Sequence, residues 1–183
     1  MASCTTAVVL SASCGGPRPV LAVPTAPCAP SIEAHPDWQL MDRGAFTFRL
    51  PPHFRKQPGT GIDSWVESYA SEDGDDEVEF DYGQWSSDLR PDSAVNEQYS
   101  ACVDTIGGKP ATIVTLRIRD SRVHKNERPY VAAATWRSLT PSERVATHLT
   151  MMTQTRDARR LGDLLAVLRS VRFPVRNGGP GSP

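Results

Sequence analysis

Apolar and polar residues alternate with a period of two in several short stretches of the chain. In Phe46-Thr-Phe-Arg-Leu50, every second residue is a large apolar side chain, which is typical of a strand that buries one face. Pro51-Pro52 then ends this strand, because proline cannot donate a hydrogen bond to a ladder. The first regular element is therefore predicted to be a short strand.

The same alternation predicts a β-hairpin further along the chain. Ile62 to Ala70 forms the first arm, with Trp65 and Tyr69 on one face and Val66 on the other. Glu77-Val-Glu-Phe-Asp-Tyr-Gly83 forms the second arm, and its apolar residues Val78, Phe80 and Tyr82 point inward. The residues between the arms are acidic and include Gly74, as expected of a turn.

Three more strands and a helix complete the predicted order. Strands are expected at Ala111 to Arg119, Tyr130 to Arg137 and Val145 to Thr153, where β-branched residues are frequent. The apolar residues between 93 and 106 fit both the period of two of a strand and the period of about 3.6 of a helix, and we expect a short helix that runs into a strand. A final helix from Asp157 to Ser170 carries an apolar stripe formed by Leu161, Leu164, Leu165, Leu168 and Val171. This order predicts an α+β domain, an antiparallel β-sheet with helix on at least one face.

Composition divides the chain into a leader, one domain and a tail. Residues 1–36 are rich in Ala, Ser and Pro, 37–173 hold the periodic segments, and 174–183 are expected to be a disordered tail. The stretch Ala7-Val-Val-Leu-Ser-Ala-Ser-Cys14-Gly-Gly resembles a bacterial lipobox, in which the cysteine is diacylated. The sequence therefore predicts export, with Cys14 lipidated and the following proline-rich residues serving as a tether.

Two cysteines remain for the exported domain. In an exported protein Cys28 and Cys102 would lie in an oxidising compartment, where a disulfide is expected to join them and close a long loop. The alternative is a buried thiol at Cys102 and an exposed thiol at Cys28. No cysteine pair has the short spacing of a zinc or thioredoxin-like motif.

Charge is unevenly distributed although the net charge is only -1. Between Asp63 and Asp81 there are nine acidic residues and no Lys or Arg, whereas Lys109 to Arg176 holds fourteen basic and five acidic residues. The two regions are expected to neutralise each other across the sheet. No nucleic-acid recognition motif accompanies the basic residues, and alternating arginines on a strand are typical of its solvent face.

Five segments together resemble the PsbP-like family, named after an extrinsic subunit of photosystem II. They are Phe46-x-Phe-x-Leu-Pro51, Ile62-Asp-Ser-Trp65, Phe80-Asp-Tyr-Gly83, Ile106-Gly-Gly-Lys-Pro-Ala111 and Leu168-Arg-Ser-Val-Arg-Phe173. The resemblance covers about residues 42 to 173 and implies an α/β/α sandwich used as a binding or accessory module. It implies no catalytic residue.

Two local patterns suggest chemistry. The acidic turn offers Asp73, Asp75 and Glu77 as oxygen ligands for calcium, but its spacing does not fit an EF-hand, and the favoured interpretation is a solvated hairpin turn. Ser64 suggests a nucleophile that one of the histidines would have to approach in space: His35, His53, His124 or His148. A turn or strand-edge hydrogen bond is the alternative role of Ser64.

The leading expectation is a non-enzymatic, exported and lipid-anchored binding or accessory domain of the bacterial cell envelope. We expect a monomer with no cofactor, an unidentified protein or small-molecule partner, and contact with the membrane only through the lipid. The alternatives are an exported hydrolase that uses Ser64 or a histidine, and a cytoplasmic protein-interaction domain.

Overall fold

A computed structural model describes residues 27–29, 33–59, 61–84, 86, 95–122, 127–139 and 146–174. Within these ranges the chain forms nine β-strands and one α-helix. The strands are β1 Gln39–Asp42, β2 Thr47–Leu50, β3 Phe54–Lys56, β4 Trp65–Ser71, β5 Asp76–Gly83, β6 Asn96–Ile106, β7 Lys109–Ile118, β8 Tyr130–Trp136 and β9 His148–Thr155, and the helix is α1 Leu161–Arg169.

Seven of the strands form one antiparallel sheet, which confirms the predicted sheet. Their order is β3-β4-β5-β9-β8-β7-β6, and β1 and β2 form a separate two-stranded hairpin. The predicted hairpin is β4 and β5, where Trp65 lies opposite Tyr82 and Tyr69 lies opposite Val78. Strand β6 is an edge of this sheet, and β9, β8 and β7 lie between it and β5.

The core lies on one face of this sheet. Val78 and Phe80 are fully buried there, as their alternation predicts, together with Trp136 and Met151. The helix α1 packs against β8, β9 and β2, so that α1 and the β1–β2 hairpin cover this face. In the described ranges helix covers one face only, so a sandwich with helices on both faces is not shown.

The helix expected between residues 93 and 106 is wrong for the described part of that segment. Residues 96 to 106 form the edge strand β6, and Cys102 lies opposite Ile113 on β7. A β-bulge interrupts the pairing between Glu97 and Ser100, and Gln98 has a φ of 53°. The bulge shifts the alternation by one residue, which produced a spacing that resembles a helical stripe.

The C-terminal helix is confirmed but is shorter than predicted. Ala158–Arg160 forms a 3-10 turn, and α1 begins at Leu161 and ends at Arg169. Asp157 caps this turn, because its carboxylate accepts a hydrogen bond from the Arg159 amide at 3.0 Å. Strand β1 was missed because it is mostly exposed and its residues do not alternate between apolar and polar, and β3 was missed because it has only three residues.

The predicted disulfide between Cys28 and Cys102 is confirmed. Their sulfur atoms are 2.05 Å apart. The Cys28 amide also donates to the Val103 carbonyl at 3.1 Å, and Pro27 forms a parallel bridge with Val103. Residues 27–29, which belong to the predicted tether, therefore lie against the edge of the sheet.

The predicted lipidation site, Cys14, lies outside the described residues, and so does the predicted tail after residue 174. Among the residues that the structure describes, none belongs to a helix long and apolar enough to cross a membrane.

Candidate functional site

A cleft of about 1150 Å³ opens beside the disulfide. Its walls are the segment before β1, strand β2, the turn between β6 and β7, and the end of α1. Three arginines line it: Arg49, Arg169 and Arg172. We call this the basic cleft.

Arg49 holds one wall of the basic cleft in place. It lies on β2, and its amide donates to the Ser170 Oγ at 2.8 Å. Its Nη1 donates to the carbonyl oxygens of Pro36 at 2.7 Å and Trp38 at 3.0 Å. The side chain therefore fixes the segment before β1, and its Nε and Nη2 have no partner among the described residues.

Arg169 holds the opposite end of the same segment. Its Nε donates to the Asp104 Oδ2 at 2.9 Å, and its Nη2 donates to the Ala29 carbonyl at 3.1 Å. The Arg169 side chain is only 15% exposed. The pair with Asp104 thus ties the end of α1 to β6, beside the disulfide.

Arg172 is exposed and caps the helix. Its Nη1 donates to the carbonyls of Arg169 at 2.8 Å and Val171 at 2.7 Å, where the negative end of the helix dipole lies. Its backbone bridges to Thr47 by two hydrogen bonds of 2.8 Å. This bridge fixes the position of the guanidinium at the cleft.

The turn between β6 and β7 approaches the chain after α1 closely. Gly107 has a φ of 61°, and a Cβ there would lie 2.8 Å from the Val171 carbonyl oxygen. Gly108 has a φ of 75° but open space around it. Any other residue at position 107 would be strained, so Gly107 allows the close approach that shapes this part of the basic cleft.

The charges of the basic cleft favour an anion. Its three guanidinium groups face two carboxylates, Glu33 and Asp104, and Asp104 is already paired with Arg169. Within the described part of the chain, each guanidinium keeps at least one nitrogen with no partner. Guanidinium groups bind carboxylates and phosphates through paired, charge-assisted hydrogen bonds.

Ser64 and His148 both lie beside Gly83 but form no hydrogen bond with each other. Ser64 lies beside Gly83, since a Cβ at Gly83 would be 2.7 Å from the Ser64 Cβ, and Gly83 pairs with His148. The His148 Nδ1 accepts a hydrogen bond from the Ser138 amide at 3.1 Å.

The other histidines lie elsewhere. His35 is beside Asp37 at 3.4 Å, His53 is exposed in the loop before β3, and His124 lies outside the described residues. No hydrogen bond joins Ser64 to a histidine in the ranges that the structure covers.

The residues suggested for calcium each face a different arginine. Asp73 pairs with Arg160 at 3.0 Å, Asp75 with Arg156 at 2.9 Å, and Glu77 with Arg128 at 2.5 Å. Among the described residues, no group of three potential metal ligands comes together. These ion pairs confirm that the acidic and basic regions of the chain neutralise each other.

A buried polar cluster beside the core was missed. Glu67 is 10% exposed and lies on the same face as Phe80. Its carboxylate accepts hydrogen bonds or ion pairs from Arg43 at 3.0 Å, Lys56 at 2.9 Å, Trp65 Nε1 at 3.2 Å and the Tyr69 hydroxyl. The sequence does contain a signal for this cluster: Glu67 is a charged residue between Trp65 and Tyr69, two aromatic residues on the inward face.

The pKa values of Glu67 and Tyr69 indicate that this cluster stabilises the fold. Burial alone would raise the pKa of Glu67, but hydrogen bonds from Tyr69 and Lys56, with the charge of Arg43, lower it to about 2. Burial, together with the hydrogen bond to Glu67, raises the pKa of Tyr69 to about 12. Neither group changes its proton near neutral pH, so neither is tuned for acid-base catalysis.

The tryptophans do not form a shared exposed patch. Trp65 is 39% exposed and contacts Phe46 just before β2, whereas Trp38 is half-buried beside the other end of the β1–β2 hairpin. Trp136 is fully buried, and Trp85 lies outside the described residues.

The chain matches no protein-family model, and no curated protein is significantly similar to it. The functional proposal below therefore rests on the site itself.

Proposed function

We propose that this protein is an exported, lipid-anchored domain of the cell envelope that binds an anionic partner without chemically changing it. The basic cleft would take a carboxylate or phosphate group, carried by a small molecule or a partner protein. The observation that carries the proposal is the set of three guanidinium groups, Arg49, Arg169 and Arg172, around one cleft with unused N–H groups. Arg169 is ion-paired with Asp104, whereas Arg49 and Arg172 form no ion pair among the described residues.

Export is supported by the bond between Cys28 and Cys102, because stable disulfides form in oxidising compartments. This observation favours the envelope over the cytoplasmic alternative. Ser64 forms no hydrogen bond to His148, whose Nδ1 instead accepts one from the Ser138 amide, so the geometry gives the hydrolase alternative no support.

We also propose membership of the PsbP-like family, with helix on both faces of the sheet. Val114, Leu116 and Val131 support this, because they lie on the face away from α1 and are nevertheless 3% to 6% exposed. An experimental structure in which no helix covers these three residues would contradict the sandwich.

Anion binding is tested by NMR titration with inorganic phosphate and with succinate at low salt. We expect saturable shifts of the backbone amides of Arg49, Gly108 and Arg172. Arg172→Gln should weaken binding about tenfold, since one charge-assisted contact is lost. Arg55→Gln is the matched control: Arg55 is also exposed but pairs with Glu72 away from the cleft, so binding should be unchanged.

Equal weakening by both variants would contradict the proposed site, and so would equal shifts with chloride at matched ionic strength. A shift with phosphate but not succinate would assign the cleft to phosphate groups.

Export is tested by mass spectrometry of the protein purified from its native cells. We expect a diacylglyceryl group on Cys14 and a peptide cross-linked through Cys28 and Cys102. An unmodified N-terminus with both thiols free would refute the envelope location.

A further inference from the structure

The outer face of the β1–β2 hairpin carries an apolar side chain beside two arginines. Leu40 lies opposite Arg49 in the pairing of β1 with β2. Arg172 bridges to Thr47, two residues before Arg49 on β2. Residues that lie opposite each other in a ladder, or two apart on one strand, point to the same face, so Leu40, Arg49 and Arg172 share this face. All three line the basic cleft, and we call them the docking face.

Leu40 is exposed although it is a large apolar residue. Its exposed fraction is 62%, and Leu40 is one of three large apolar residues that are exposed in the described part of the chain. The aliphatic side chain therefore stands next to the Arg49 guanidinium at the mouth of the basic cleft. Apolar side chains beside basic ones are typical of surfaces that lie on a membrane, where the two kinds of side chain meet acyl chains and anionic head groups.

The positive charge at the docking face is not neutralised. Arg49, Arg172 and Lys109 form no ion pair in the ranges that the structure covers. The Lys109 Nζ lies 5.6 Å from the centroid of the aromatic ring that follows Arg172 in the chain. The carboxylate of the cleft lining that opposes them is Glu33, because the other one is already paired with Arg169. This surface is therefore positive, although the net charge of the chain is -1.

The chain that leads to the domain arrives at the same surface. Cys28 and Ala29 line the basic cleft, and Pro27 is bridged to β6 beside it. The proposed lipid attachment, Cys14, precedes Cys28 by 14 residues, which span at most about 50 Å when fully extended. A tether of this length would hold the docking face near the membrane at an effective concentration in the millimolar range, so a weak contact would suffice.

We propose that the docking face binds the surface of the membrane that holds the lipid anchor. Arg49 and Arg172 would bind the phosphate groups of anionic phospholipids through their free N–H groups, and Leu40 would lie at the boundary of head groups and acyl chains. The inference rests on the proposed function, since the same guanidinium groups bind the anion, and it names a phospholipid as the carrier of the phosphate. It adds a protein contact to the attachment that the sequence assigns to the lipid alone.

The contact is tested by sedimentation of the full chain with vesicles. The chain carries Cys14→Ser, which removes the lipid attachment, so that any binding comes from the protein surface. Vesicles of phosphatidylcholine alone are compared with vesicles that also contain about 30% phosphatidylglycerol. We expect binding to the anionic vesicles at low salt, its loss at high salt, and no binding to phosphatidylcholine alone.

Two variants locate the contact. Arg172→Gln should weaken binding to the anionic vesicles about fivefold, which is the contribution of one basic side chain near such a surface. Leu40→Ser should also weaken it about fivefold, because less apolar surface leaves water on binding. Arg55→Gln is the matched control, since Arg55 is exposed but pairs with Glu72 away from the cleft, and its binding should be unchanged.

The phosphate titration described above separates this inference from the proposed function. Saturable phosphate shifts at the basic cleft without binding to anionic vesicles would overturn the membrane contact and leave the proposed function intact. Absence of both would overturn both. Equal weakening of vesicle binding by Arg172→Gln and Arg55→Gln would overturn the docking face, because the basic residues would then act without regard to position.

Discussion

Replacing Cys28 with alanine is expected to lower the free energy of unfolding by about 4 kcal/mol. The bond to Cys102 joins residues separated by 74 positions. In the chain-entropy description, closing a loop of that length removes about 15 cal/mol/K from the unfolded chain, which is about 4 kcal/mol at 25 °C. The Cys28 amide keeps its backbone hydrogen bond to Val103 in the variant, so the loss is mainly in the unfolded state.

Urea and thermal unfolding of the unaltered protein, Cys28→Ala, Cys102→Ala and the double variant measure this loss. All three variants should be equally destabilised, because each removes the same bond. The melting temperature should fall by about 10 to 15 °C. The slope of unfolding free energy against urea should increase, since the unfolded chain becomes more expanded without the cross-link.

Chemical reduction of the unaltered protein is the control, and it should give the stability of the double variant. Additive losses in the two single variants would refute this reasoning. A change below about 0.5 kcal/mol would refute it as well, since the loop would then be constrained in the unfolded chain by something other than the disulfide.

Three further predictions concern the buried cluster and the turn at the basic cleft. The pKa of Glu67 falls from 4.5 in the unfolded chain to about 2 in the folded protein, so its contribution to the free energy of unfolding is complete above pH 4.5 and is lost as the pH falls through 2. Glu67→Gln should lower the free energy of unfolding by on the order of 3 kcal/mol at pH 7. The variant's free energy of unfolding should also depend less on pH over this window. Tyr69→Phe should cost about 1 to 2 kcal/mol by urea unfolding, and spectroscopic titration should show one tyrosine ionising near pH 12 in the unaltered protein only. Gly107→Ala should cost about 2 kcal/mol more than Gly108→Ala, because both residues have positive φ but only Gly107 meets the Val171 carbonyl; equal losses would show that the backbone conformation alone decides.

Much of the sheet was predictable because its alternation is local. Val78, Phe80 and Tyr82 share a buried face, and any strand that buries one face must show this period. The same reasoning failed at residues 96 to 106, where the bulge near Gln98 shifts the period inside one strand. A single-residue insertion in a pairing pattern depends on the partner strand, which the local sequence does not contain.

The candidate sites were harder to predict because their residues are distant in sequence. Arg49 and Arg172 meet at the basic cleft only after β2 bridges to the chain that follows α1. Asp73 belongs to the acidic turn, but its ion-pair partner Arg160 lies 87 residues away. The disulfide was predictable because elimination of the other cysteines left one reasonable pair.

The parallel bridge between Pro27 and Val103 determines how the domain would carry mechanical load. A pull on the chain ahead of Pro27 reaches the sheet through Cys28 and passes directly into Cys102 on β6. Cys28 and Ala29 also line the basic cleft, so the same pull would load one wall of that cleft.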